Sequence, residues 1–112
     1  MIELPASCLS LLDATGRSFG RLRVVPHEHK PYAECIFDVA PVDEAQAARP
    51  EVRWGCKRHY RRYSEHQLRI AADGTLTISK ADFRWVLEPD EGGGYTSCFP
   101  APKVRAVWSD DV

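Results

Sequence analysis

The amino-acid sequence predicts a mainly β protein: one antiparallel sheet of about seven strands, curled into a sandwich or half-barrel, with one short helix near residues 42–49. Three observations carry this. Apolar and polar residues alternate with period two over most of the chain, as in strands with one face in a core and one in water. Glycine, proline and aspartate interrupt the alternation at near-regular intervals. Only one stretch, around Ala45-Gln46-Ala47-Ala48, has the composition of a helix.

The pattern is clearest from Gln67 to Leu87, QLRIAADGTLTISKADFRWVL. Leu68 and Ile70 alternate with Gln67, Arg69 and Ala71, and Leu76 and Ile78 with Thr75, Thr77 and Ser79. A two-residue Asp73-Gly74 turn would pair Ile70 with Thr77 and put Leu76 on the wrong face. A three-residue loop, Ala72-Asp73-Gly74, pairs Ile70 with Leu76 and Leu68 with Ile78, and places Gly74 where a left-handed residue is needed. A one-residue slip would turn the apolar set into water, so the second register is expected. Past Ser79 the apolar residues change parity, to Phe83, Trp85 and Leu87. A turn or bulge at Ser79-Lys80-Ala81-Asp82 must absorb the change.

The other elements follow in order. Leu9 and Leu11, the Ala14-Thr15-Gly16-Arg17 turn signal, and Leu22 and Val24 make a first hairpin over residues 8–25, with Arg17, Arg21 and Arg23 on its polar face. Pro26 and Pro31 frame His27-Glu28-His29-Lys30, which must be a loop or a strand edge, since proline cannot donate to a ladder. Tyr32–Val39 is a strand with Cys35, Phe37 and Val39 on one side. Asp43 is placed to cap the helix, Arg49 to sit at its C-terminal end and Pro50 to stop it. Glu51–Ser64 reads as a strand by its aromatic content, although Val52, Cys56, His59 and Tyr63 also form a helical stripe. Pro89 and Asp90-Glu91-Gly92-Gly93-Gly94 read as a flexible connection to a strand over Tyr95–Phe99. Val104, Ala106 and Trp108 alternate in the last strand, before Asp110-Asp111.

Composition narrows the functional classes. The chain has 112 residues, 44% hydrophobic and 28% charged, with a formal net charge of −1, the profile of one globular domain. Near-neutrality gives no global field to recruit nucleic acid or an anionic membrane. No apolar run approaches the roughly 20 residues of a membrane span. The N-terminal stretch carries Glu3 and no early Lys or Arg, so a cytoplasmic location is expected. Cys8, Cys35, Cys56 and Cys98 are far apart and are expected as reduced thiols.

The loudest polar signal lies in residues 53–63. Arg53, Lys57, Arg58, Arg61 and Arg62 stand among Trp54, Tyr60 and Tyr63 with no acid between them. Such a set can anchor a protein interface or meet phosphates and stacked bases. It can equally be a solvated face paired with Glu28, Glu34, Asp38 or Glu51. A second, acidic patch of Glu88, Asp90 and Glu91 flanks the triple glycine.

His27 and His29 are two apart, so on a strand both imidazoles could take one ion. Gly20, His27, His29 and Glu34 stand in an order that resembles the first metal motif of the cupins, G-x5-H-x-H-x3–4-E. The resemblance covers about 15 residues and implies that His27, His29 and Glu34 are metal ligands of an enzyme. Here six residues separate Gly20 from His27, Pro41 stands where that motif has a later glycine, and the second cupin motif is missing. Cys56-x2-His59 is half of a zinc site. Ser64-Glu65-His66 points to alternate strand faces and makes no triad.

The expected function is a non-enzymatic module without a cofactor that binds one protein partner, such as a toxin or enzyme. Trp54, Arg58, Tyr60, Arg61 and Arg62, or the Glu88, Asp90 and Glu91 loop, would cover the partner. An immunity-type toxin inhibitor is the concrete form. A cupin-like metal enzyme is the first alternative, and single-strand nucleic-acid binding through residues 53–63, which the near-neutral net charge argues against, is the second.

Overall fold

The hairpin around Gly74 forms in the predicted register. In a computed structural model that describes residues 3–53, 65–81, 83–99 and 103–110, Leu68 lies opposite Ile78 and Ile70 opposite Leu76. Gly74 takes the left-handed φ of +91°, and its amide donates to the Ala71 carbonyl at 2.9 Å.

Eight strands follow in chain order: β1 (Cys8–Leu12), β2 (Ser18–Pro26), β3 (Ala33–Val39), β4 (Glu65–Ile70), β5 (Leu76–Lys80), β6 (Phe83–Pro89), β7 (Tyr95–Phe99) and β8 (Arg105–Ser109). Each pairs with the next, and β8 closes antiparallel onto β1, from Cys8 opposite Ser109 to Leu12 opposite Arg105. The antiparallel sheet is therefore curled through to a complete barrel. Closure satisfies the backbone groups that two edge strands would leave unpaired. It also lets Leu9 and Leu11 face the same interior as Val104 and Ala106.

The parity change after Ser79 needs no bulge. Lys80 pairs with Phe83, which leaves two residues in the turn, with Ala81 at φ +50°. Across a two-residue turn an even position always opposes an odd one, so Ile78 meets Trp85 and Leu76 meets Leu87. Register shifts occur instead at Leu11/Leu12 and at Val86/Leu87. At Gly20 the strands approach so closely that a Cβ would stand 2.5 Å from the Asp38 carbonyl oxygen.

The helix is shorter than its composition suggests. Helix α1 spans Glu44–Ala47. Asp43 caps it as expected, accepting from the Gln46 amide at 2.8 Å. Pro50 does not end the helical region but opens a second turn over residues 50–53, the first-turn position that proline tolerates because it has no N–H to satisfy. Residues 51–53 are thus helical rather than strand, and Val52 is buried. Arg49 lies past the helix end, with its Nε 3.1 Å from Glu51 Oε2. The rest of the predicted 51–64 strand lies outside the described residues.

The barrel is filled. Leu9, Leu22, Leu68, Leu76, Ile78 and Leu87 are fully buried and Trp85 nearly so, each burial contributing roughly 2 kcal/mol. Trp85 donates its indole N–H to Ser97 Oγ at 2.7 Å, which satisfies both polar groups inside. His66 is buried edge-on to Phe37 and Phe83, with ring centroids 5.0 and 5.3 Å away. Cys35 lies opposite His66, and burial pushes its thiol up to about 12, so it packs as an apolar group. Cys8 is also buried, Cys98 is exposed, and all three are free thiols. No helix among the described residues is long and apolar enough to cross a membrane.

Candidate partner-binding surface

In an up-and-down barrel alternate connections fall on alternate ends. One end, here the helix end, carries the β1–β2 loop, α1 and the β5–β6 and β7–β8 connections. The other, the terminus end, carries the approach to β1, the β2–β3, β4–β5 and β6–β7 loops and the exit from β8.

The sequence-predicted partner residues divide between described and undescribed regions. Trp54, Arg58, Tyr60, Arg61 and Arg62 lie outside the described residues, as does the Cys56–His59 pair. Arg53, at the start of the basic segment, is exposed. Glu88, Asp90 and Glu91 all come to the terminus end, where Glu88 and Glu91 are exposed.

Asp90 has a different position from its neighbours. Its carboxylate receives both Arg105 Nε and Nη2, at 2.8 and 3.0 Å. It also accepts from the Thr96 hydroxyl and from the amides of Gly92 and Gly94, at 2.9, 3.0 and 3.1 Å. The Arg105 guanidinium and these bonds hold its carboxyl well below the usual carboxylate range. The connection expected to be flexible is a closed turn, with the Asp90 amide donating to the Gly94 carbonyl at 2.9 Å. Asp90 positions the loop, and Glu88 and Glu91 are what the loop presents.

The proposed metal triad comes together only in part. His27 Nε2 lies 2.8 Å from Glu34 Oε1, but off the ring N–H axis, so that this buried nitrogen makes no aligned hydrogen bond. His29 is 88% exposed and points to Glu28, 3.9 Å away. No group of three His, Cys, Asp or Glu side chains converges among the described residues.

Of the acids expected to pair with a solvated basic face, three have partners among the described residues. Asp38 lies 3.5 Å from Arg21, Glu34 is against His27, and Glu51 accepts from the Ala14 amide at 2.7 Å and from Arg49.

Sequence reading missed the buried polar network at the helix end. Gln46, 1% exposed, donates from Nε2 to Asp13 Oδ2 at 2.9 Å and to the Ser18 carbonyl at 3.1 Å, and accepts from the Val42 amide at 2.8 Å. Burial works to raise the Asp13 pKa. Bonds from Thr15, Gln46 and the Arg17 amide outweigh it and hold the carboxyl well below its ordinary value. For Glu51 burial is likewise outweighed, by the Ala14 amide and Arg49, and its pKa is lowered. This network docks the helix on the first hairpin. The signal that could have pointed to it is a glutamine inside an otherwise alanine-rich helix, just after an aspartate cap.

No protein-family model, no curated protein and no solved structure matches this chain.

Proposed function

We propose that this chain is a non-enzymatic protein-binding module, in its most concrete form an immunity-type inhibitor that neutralises a bacterial toxin by covering its active site. The observation that carries the reading is the filled, closed barrel. Side chains from all eight strands occupy the interior where a barrel of this size would otherwise hold a small ligand. Closure also gives each of the eight described strands a neighbour on both sides, which leaves no edge strand among them for β-augmentation. What the domain offers a second molecule is its outer wall and its end loops. The exposed carboxylates of Glu88 and Glu91 and the basic-aromatic segment 53–63 are the side chains that suit such contacts.

Co-purification from the native cell extract with a tag on this chain tests the reading. One protein held in stoichiometric amount through gel filtration supports it, and elution of the chain alone overturns it. Elemental analysis of untagged protein separates the alternative. Stoichiometric zinc, iron or manganese, lost in His27→Ala, would replace the module with a metalloenzyme.

A further inference from the structure

The net charge of −1 conceals a polarity along the barrel axis. Five chain segments meet at the terminus end, and each brings an exposed carboxylate: Glu3 before β1, Glu28 in the β2–β3 loop, Asp73 in the β4–β5 loop, Glu91 in the β6–β7 loop and Asp110 after β8. Among the described residues of these segments Lys30 is the one Lys or Arg. Among the described residues of the helix end the balance reverses, with Arg17, Arg53, Lys80 and Lys103 exposed against Asp43 and Glu44. Asp13 and Glu51, which also belong to that end, are buried.

Three contacts tie parts of this acidic rim together. The Arg69 guanidinium on β4 lies over the Tyr32 ring of the β2–β3 loop, 4.7 Å from its centroid. Gly74 packs against Pro89, so closely that a Cβ there would stand 2.9 Å from its Cγ. Arg105 on β8 grips Asp90 at 2.8 Å. Arg69 is thus turned to Tyr32 and Arg105 to Asp90, while Lys30, the cation within the rim, lies 5.5 Å from the Tyr32 ring centroid. Beside the rim, at the end of β2, Val25 is 57% exposed, one of only two large hydrophobic side chains so exposed among the described residues. Val42, the other, is 61% exposed and precedes α1 at the helix end.

We propose that this rim docks a Lys- and Arg-rich face of a protein partner. The inference deepens the binding-module reading and rests on it. Charge and spacing together select the occupant. Adjacent loops at one end of the barrel are two strands apart, roughly 10 Å, too far for their carboxylates to share one metal ion at the roughly 2–2.6 Å that ligation needs. A nucleic acid would meet like charge. A basic protein face offers many cations at matching separations, and Val25 gives it an apolar contact. The field of the rim would steer the encounter and make it salt-dependent.

The test uses the full chain and a nona-arginine peptide, followed by amide chemical shifts in about 20 mM salt. Shifts are expected to concentrate in residues 28–30, 72–75 and 90–93. Affinity is expected to fall at least about tenfold in the triple variant Glu28→Gln, Glu91→Gln, Asp110→Asn, and comparably when salt is raised to about 0.3 M. Asp73 is left intact because its carboxylate accepts from the Thr75 amide at 2.9 Å, and a thermal melt of the variant confirms its fold. Shifts centred on the helix end or spread along the outer wall overturn the proposal, as does a folded triple variant that binds like the parent. A co-purified partner that binds the triple variant with full affinity overturns the rim and leaves the module reading standing. The absence of any partner defeats the module reading itself.

Discussion

Two aspartate-centred turns, at opposite ends of the barrel, are built on one plan. In Asp13-Ala14-Thr15-Gly16-Arg17 the Asp13 amide donates to the Arg17 carbonyl at 2.8 Å and the Gly16 amide to the Asp13 carbonyl at 2.9 Å. Asp13 Oδ1 accepts from the Thr15 and Arg17 amides at 2.8 and 3.1 Å. In Asp90-Glu91-Gly92-Gly93-Gly94 the same positions make the same bonds, with Asp90 Oδ1 taking the amides of Gly92 and Gly94. The glycine at the fourth position is left-handed in both, at φ +89° and +82°. The turns differ in what meets the second carboxylate oxygen. Asp13 Oδ2 is met by the buried, neutral amide of Gln46. Asp90 Oδ2 is met by Arg105, whose side chain remains 39% exposed. One turn is thereby an anchor for the helix, and the other holds up a charged loop. Local sequence sets the turn; a residue far along the chain sets its use.

Removing the anchor should cost most. Asp13→Ala takes the buried acceptor from one Gln46 Nε2 hydrogen and the acceptor from two part-buried loop amides, and a loss of about 3 kcal/mol in urea unfolding is expected. Gln46→Leu keeps the turn but strips one donor from a buried carboxylate, for a loss of about 2 kcal/mol. Parity between Gln46→Leu and a surface control would mean that the network does not hold the helix.

Asp90→Ala should lower the melting temperature less than Asp13→Ala, and its effect should shrink in high salt because the Arg105 pair is partly exposed. The Asp13→Ala effect should be the same at both salt concentrations. Equal salt dependence would erase the distinction between the turns.

Acid probes both turns at once. Each carboxyl titrates below its ordinary value when folded and near about 3.9 when unfolded. The stability each contributes is therefore complete above that value and is lost as pH falls below it towards the folded-state pKa. Unfolding free energy should be nearly flat from neutral pH to about pH 5 and then decline, with a shallower decline in Asp13→Asn. The smallest effect belongs to the rim. Glu28→Gln, Glu91→Gln and Asp110→Asn together should move the melting temperature by about one degree or less, since surface substitutions clear of caps and networks are close to neutral.

Much of the barrel wall was legible because it is local. Period-two alternation placed Leu68, Ile70, Leu76 and Ile78 on one face, and the need to bury that face chose a three-residue loop over a two-residue one. Asp43 was legible as a cap because capping involves only the next few amides. Pro50 misled, since a proline that ends one helix can equally begin another. The Asp90 loop misled because three glycines read as slack, whereas five hydrogen bonds to one carboxylate draw it tight. Gln46 gave no sign of its partner because Asp13 lies 33 positions away.

The sequence by itself determined which side chains go inside and where the chain turns back, because alternation and turn chemistry act over a few residues. The tertiary structure alone decided that the sheet closes, that Gln46 meets Asp13, and that five scattered carboxylates come to one end of the barrel. Each of these depends on which strands become neighbours. That is settled by the burial of a common interior, which no short stretch of sequence contains.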